Sequence, residues 1–162
     1  MPLVTLTVRQ DTPATTRAGM LDAVHDALVA SGVPANDVFQ RVLPLAESDF
    51  RFDPRYPDLD SDRTPQFVLV EILWSVGRSV KVKRALLQRL MASAAALGLS
   101  PEHVMVCFKD TAWENRSVGG GRLQMSFIER DALEGVYAPV CGRAVGLVKL
   151  RAWGGARRAA GS

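Results

Sequence analysis

The chain repeats itself. Across residues 3–104, segments of strand-like, helix-like and helix-stop character recur at one offset of 66 positions, without gaps. Leu3, Val4 and Leu6 fall on Leu69, Val70 and Ile72; Met20, Leu21 and Val24 fall on Leu86, Leu87 and Leu90; Gly32, Val33 and Val38 fall on Gly98, Leu99 and Val104. A period shared by strand, helix, stop and strand marks two copies of one supersecondary unit, neither large enough to bury its own apolar face. Strand–helix–strand is the natural form of such a unit, because parallel strands need a crossover connection. The fold class is therefore α/β (α+β), built from tandem βαβ units.

Local patterns fill in the units. "PLVTLTV" (2–8) alternates Leu3, Thr5 and Thr7 against Val4, Leu6 and Val8, the period of a strand. A helix follows, with Thr12 as N-cap, Pro13 at its first position and Leu21, Val24 and Leu28, flanked by Met20 and Ala27, as its apolar stripe. Gly32 stops it, and "VFQRVLPL" (38–45) is a second strand. "AESDFRFDPRYPDLDSDRTP" (46–65) is polar, acidic and proline-rich, a loop or excursion. "QFVLVEILW" (66–74) is strand three, and "SVGRS" leads into a helix over about 79–97, with Leu86, Leu87, Leu90, Met91 and Ala94 inward. "HVMVCFK" (103–109) is strand four, and the glycine-rich "ENRSVGGGRLQ" (114–124) follows.

Composition excludes several classes. No apolar run approaches the roughly 18 residues a membrane span needs, and the start lacks the basic and apolar regions of a secretion signal. Cys107 and Cys141 make no disulfide framework, so a cytoplasmic home is the default. Residues 1–124 hold 14 basic and 14 acidic side chains, so the net charge of +3 belongs to the tail and gives no nucleic-acid stripe. Without HxxxH, CxxC or clustered carboxylates, no metal is expected. No Walker, GxSxG or dinucleotide fingerprint is present, and no cofactor is implied.

Chemistry gathers at few residues. In "VGRS" (76–79), Gly77 permits a tight turn, Ser79 caps the next helix, and free N–H groups at that helix start favour an anion. Arg78 adds a planar fork suited to a carboxylate, or is simply a surface arginine on a capped turn. Asp37, just before strand two, is either an Asx-turn residue or a carboxylate that orients substrate or water. His25 reads as a partly buried helix histidine, His103 as a turn residue, Cys107 as a small core residue. "GGGR" (119–122) reads as a bend or a subunit contact, and Trp113 beside it as packing or the wall of a pocket. Pro2 starts a strand; once Met1 is removed it is also a free secondary amine, whose charged form burial and neighbouring cations disfavour.

In order and spacing these features resemble the tautomerase superfamily, above all its fused-repeat branch that includes malonate semialdehyde decarboxylase. The resemblance rests on Pro2, "GVPANDVFQ" (32–40), "FDPRY" (52–56) with Arg63, "GRSVKVK" (77–83) and "WENRSVGGGR" (113–122), and covers residues 1 to about 124. It implies a tautomerase-like domain over 1–124, with repeats at about 2–46 and 66–124 and a loop at 47–65. Residues 125–162 would be a C-terminal extension, partly ordered or disordered. The units would be related by a pseudo-twofold, their first strands antiparallel, with Pro2 facing Arg78, and the chain would form a homotrimer.

By the same resemblance Pro2 is the general base or acid, Arg78 binds the substrate carboxylate and stabilises enolate-like charge, and Asp37 positions a water or carbonyl. The chain departs from the decarboxylase at Val76, where that branch has a second arginine, and at "RSVG" (116–119), where an aromatic pair is usual. Arg116 is the candidate to replace the missing cation, with Trp113 beside it in the substrate-binding set. The implied activity is cofactor-free tautomerisation of a small 2-oxo or enol carboxylic acid. A malonate semialdehyde decarboxylase-like lyase and a non-catalytic trimer are the alternatives. In the tail, "MSFIERDALEGVY" reads as a short strand and helix sealing the trimer, and "RAVGLVKLRAW" as a strand or disorder.

Overall fold

The computed structural model describes residues 1–124; the expectations for the segment after 124 lie outside the described residues. In chain order the elements are β1 (Leu3–Arg9), α1 (Ala14–Ala30), β2 (Gln40–Leu45), β3 (Val68–Ser75), α2 (Val80–Ala96), β4 (Val104–Thr111) and a small hairpin of β5 (Ser117–Gly119) and β6 (Arg122–Leu123). The main sheet has the order β2-β1-β3-β4. β1–β2 and β3–β4 are parallel, and the central β1–β3 joint is antiparallel.

The register carries the repeat into space. Val4 aligns with Gln40 in one unit and Val70 with Val106 in the other, 36 positions apart in both. Across the joint Thr5 aligns with Glu71. Those two residues are themselves equivalents at the 66-residue offset, so a local twofold axis passes through their pair. Both crossover helices lie on one face of the sheet. There Val4, Leu6, Val8, Val70, Ile72 and Trp74 pack with Met20, Val24 and Leu28 of α1 and Leu86, Leu90 and Ala94 of α2 in one core. Each buried α2 position named stands 66 beyond its α1 counterpart. Leu21, Leu87 and Met91 are half-buried at the margins of these stripes. Gly32 and Gly98, at φ +92 and +80, end the two helices in the left-handed conformation that glycine adopts without a Cβ clash.

Three local expectations are corrected. α1 begins at Ala14 with Pro13 at the N-cap and no side-chain cap, so Thr12 does not cap it. Pro13 is extended (ψ 142°), which makes it the half-in residue. Strand two starts at Gln40, leaving Val38 and Phe39 exposed before it. Cys107 is not core: in β4 it alternates with the core-facing Val106 and Phe108, so it is half-buried on the open face, aligned with Glu71. His25 is half-buried on α1, whereas His103 is buried at the end of a 3-10 turn, Pro101–His103.

The excursion between β2 and β3 is ordered around its aromatics. Phe50 stacks on Phe67 at 5.6 Å and Phe52 tilts against Phe67 at 4.5 Å, a satellite cluster beneath the polar chain. Among the described residues no helix is long and apolar enough to cross a membrane.

Candidate active site

The antiparallel joint brings the start of β1 beside the end of β3. Leu3 aligns with Leu73, so the residues just before β1 reach the level of Trp74 and Ser75. Gly77, at φ +97, turns the chain out of β3. Ser79 then caps α2, its hydroxyl accepting from Val82 N–H at 3.3 Å, as its position in "VGRS" implies. Arg78 leaves this turn with its guanidinium carbon 4.8 Å from the centre of the Trp74 ring, a cation–π contact that fixes the head of a long side chain.

Asp37 closes a turn, its N–H donating to the Pro34 carbonyl at 3.0 Å. Its Oδ2 lies 3.2 Å from the Met1 amine, the two side chains being 14% and 17% exposed. Oδ1 is buried with no partner among the described residues. Arg116 arrives from the other side. It follows the 3-10 turn Trp113–Asn115 and precedes the β5–β6 hairpin, whose turn is Gly120–Gly121, at φ +56 and +70. The bend expected of "GGGR" is therefore a hairpin turn. Gln124 N–H donates to the Arg116 carbonyl at 2.8 Å, holding that residue at the hairpin's base. From there Nη1 donates to the Met1 carbonyl and Nη2 to Ser75 Oγ at 2.9 Å.

The chain terminus, Asp37, Arg78 and Arg116 thus converge from four separate segments. In this chain the amine present is that of Met1, and the buried Pro2 nitrogen is a peptide nitrogen. Burial pushes the amine below the ordinary value of 8.0; Asp37 opposes this, while Arg116 and Arg78 reinforce it. Burial also lowers the Arg116 guanidinium, against the pull of Asp37. A poised amine, one carboxylate and two cations can move a proton while holding an acid, and that needs no group from outside the chain.

Trp113 is half-buried on its turn, with no ring or hydrogen-bond contact to this cluster among the described residues. Two contributors escaped the sequence reading. Ser75 and Trp74, both 0% exposed, tether Arg116 and Arg78 respectively. A buried serine closing an apolar strand was the available signal.

Comparison with known proteins gives the family and the fold. Residues 37–119 match the family described as "Tautomerase enzyme". The chain is 26% identical over 127 residues to the "Probable tautomerase YusQ" of Bacillus subtilis (strain 168), covering 77% of this chain and 98% of that one. Among solved structures it is similar to the FG41 malonate semialdehyde decarboxylase inhibited by 3-bromopropiolate, with a TM-score of 0.71 at 26% identity over 78% of this chain and 96% of that chain. A fused 4-OT solved as a symmetric trimer shares the fold, with a TM-score of 0.59 at 23% identity over 77% and 98% of the two chains. The chain belongs to the tautomerase enzyme family.

Proposed function

We propose that this chain, with Met1 removed, is a cofactor-free tautomerase acting on a small 2-oxo or enol carboxylic acid through the Pro2 amine. The observation that carries the reading is the convergence of chain terminus, Asp37, Arg78 and Arg116 at one end of the sheet. Loss of Met1 frees Asp37 of its ion pair and frees Arg116 of its acceptor, the carbonyl oxygen of the peptide that Pro2 closes. Arg116 then faces the space where a substrate oxygen would lie beside that amine. Neutral Pro2 takes a proton from the enol acid and returns it to carbon, so the proton count is unchanged and no oxidant is needed. Arg78 and Arg116 hold the carboxylate and the enolate-like oxygen, and Asp37 orients the carbonyl or a water. Trp113 belongs to the same substrate-binding set, as a wall of the pocket.

Decarboxylation is the second reading, favoured by likeness to malonate semialdehyde decarboxylases at 26% and 25% identity. A non-catalytic trimer is the third, and a retained Met1, paired through both its amine and its carbonyl, would support it. A homotrimer is part of the proposal: fused 4-OT proteins of the same fold form trimers, and Phe39, Leu43 and Met105 are exposed on the outer strands or beside them. So is a cytoplasmic location, with Cys107 a free thiol.

Intact mass and ketonisation of phenylenolpyruvate test the reading together. We expect a mass lacking Met1, activity in the wild type and its loss in Pro2→Ala. A retained Met1, or full activity in Pro2→Ala, would sink the amine mechanism. Aldehyde release from malonate semialdehyde separates lyase from isomerase.

A further inference from the structure

The local twofold gives the sheet a second end equivalent to the first. Arg9, closing β1, stands 66 positions before Ser75, and Phe50 stands 66 before Arg116. Val68 occupies the place of Pro2, but within the chain, where its nitrogen is an amide. This end has lost the amine and has gained cations.

A cleft of about 490 Å³ opens here, lined by Arg9, Glu47, Phe50, Arg51, Phe52 and Arg63 among others. That volume lies within the roughly 300–1,000 Å³ range of small-molecule sites. Arg9 lines it with a side chain only 11% exposed, and its Nη2 donates to Glu47 Oε1 at 3.0 Å. Its Nε and Nη1 are buried with no partner among the described residues, and so is Nε of Arg63. Arg63 is fixed by donating Nη1 to the carbonyls of Asp53 (3.1 Å) and Tyr56 (2.6 Å). Both guanidiniums lie against aromatic rings, Arg9 at 5.9 Å from Phe52 and Arg63 at 5.3 Å from Phe67. The lining holds three guanidiniums, of Arg9, Arg51 and Arg63, and a single carboxylate, that of Glu47. Buried donors without acceptors are costly and rare in folded proteins. A rotation of either side chain would turn such donors toward an anion in the cleft, and the rings of Phe50 and Phe52 in its lining would cover the anion's apolar body.

We propose that this cleft is a second, non-catalytic binding site for a small organic carboxylate with an aromatic or aliphatic body. It is independent of the amine chemistry: with Val68 where Pro2 stands, the site binds and does not turn over.

Titration calorimetry with 3-phenylpropanoate, an unreactive carboxylate, tests this on the full chain. Arg78→Ala combined with Arg116→Ala removes both cations from the amine end, so binding there is suppressed. The expected result is one equivalent bound per chain in this double variant. Adding Arg9→Gln or Arg63→Gln should weaken it about tenfold or more, the usual loss for a charge-assisted contact. Ser48→Glu, which places a carboxylate in the cleft lining and leaves the arginine contacts alone, should do the same with an unchanged circular-dichroism spectrum. Four outcomes overturn the proposal: no binding to the wild type, loss of all binding in the double variant, binding unaffected by Ser48→Glu, or inorganic phosphate binding as tightly as the probe.

Discussion

Arg116 and Ser75, 41 positions apart, meet at 2.9 Å through Nη2 and Oγ, and this contact decides where the Arg116 fork points. Arg116 has a second buried nitrogen, Nε, without a partner among the described residues, so the tether to Ser75 is one of few restraints on it. Ser75→Ala is expected to raise KM for carboxylic acids several-fold while kcat changes little. The orphaned donor should also cost about 1–3 kcal/mol of stability. Steady-state kinetics with urea denaturation read both. A KM identical to wild type would make the serine structural only.

The pH profile follows from the neighbours of the amine. Burial, Arg116 and Arg78 lower the Met1 amine and Asp37 raises it; the Pro2 amine, one residue on, is expected to meet the same neighbours once Met1 is removed. Activity requires the neutral base, so if those neighbours act on Pro2 as they do on Met1, kcat/KM is expected to rise with pH through a pKa below the ordinary α-amine value. Removing a cation removes a cause of lowering, so Arg116→Ala should move the rising limb to higher pH. Removing the carboxylate does the reverse, and Asp37→Asn should move it lower in whatever activity survives. Profiles of the three proteins under one buffer series check the signs.

Trp74 serves the core and the site at once, being fully buried and lying under Arg78. Trp74→Leu is expected to lose about 3 kcal/mol to the cavity and to raise KM by freeing Arg78. Trp74→Phe keeps a ring under the cation and should keep KM nearer to wild type. Equal KM values in the two variants would remove the ring from substrate binding.

Two glycines should respond differently. Gly98 sits at φ +80 with open space around its Cα, so Gly98→Ala meets no atom but carries left-handed strain of about 1 kcal/mol. Gly19 lies inside α1, and an added Cβ would come within 2.7 Å of Leu97 Cδ2. Leu97 is 42% exposed and its tip can rotate away, while alanine gains up to about 1 kcal/mol of helix propensity. Denaturant midpoints should fall for Gly98→Ala and hold or rise for Gly19→Ala.

What the sequence disclosed here was periodic. Alternation in β1, the stripes of α1 and α2 and the helix-stop glycines all sit where spacing puts them, because local patterns report which side of an element meets the core. The site was only half legible. Pro2, Asp37 and Arg78 stood out through chain position and motif, and Arg116 through its departure from a familiar pattern. The parts that bind them together, Arg116 on Ser75 and Arg78 on Trp74, depend on which strand edges meet, and no local pattern encodes that. Cys107 was misplaced for a related reason: in a sheet covered on one face, neighbouring residues of an apolar strand go to opposite sides.

The equal spacing of the two crossovers also bears on how the molecule assembles. Each parallel pairing closes a loop of 36 residues, so the entropy of forming either half is the same to first order. Neither half leads by virtue of chain length, and the Thr5–Glu71 joint waits until both are present. Folding is therefore expected to place its barrier at the docking of two matched halves. Met20→Ala and Leu86→Ala, equivalent core truncations in opposite halves, should then slow refolding by similar fractions of their stability loss. A polarised result, with one near unity and the other near zero, would mean that one half folds first and templates its twin.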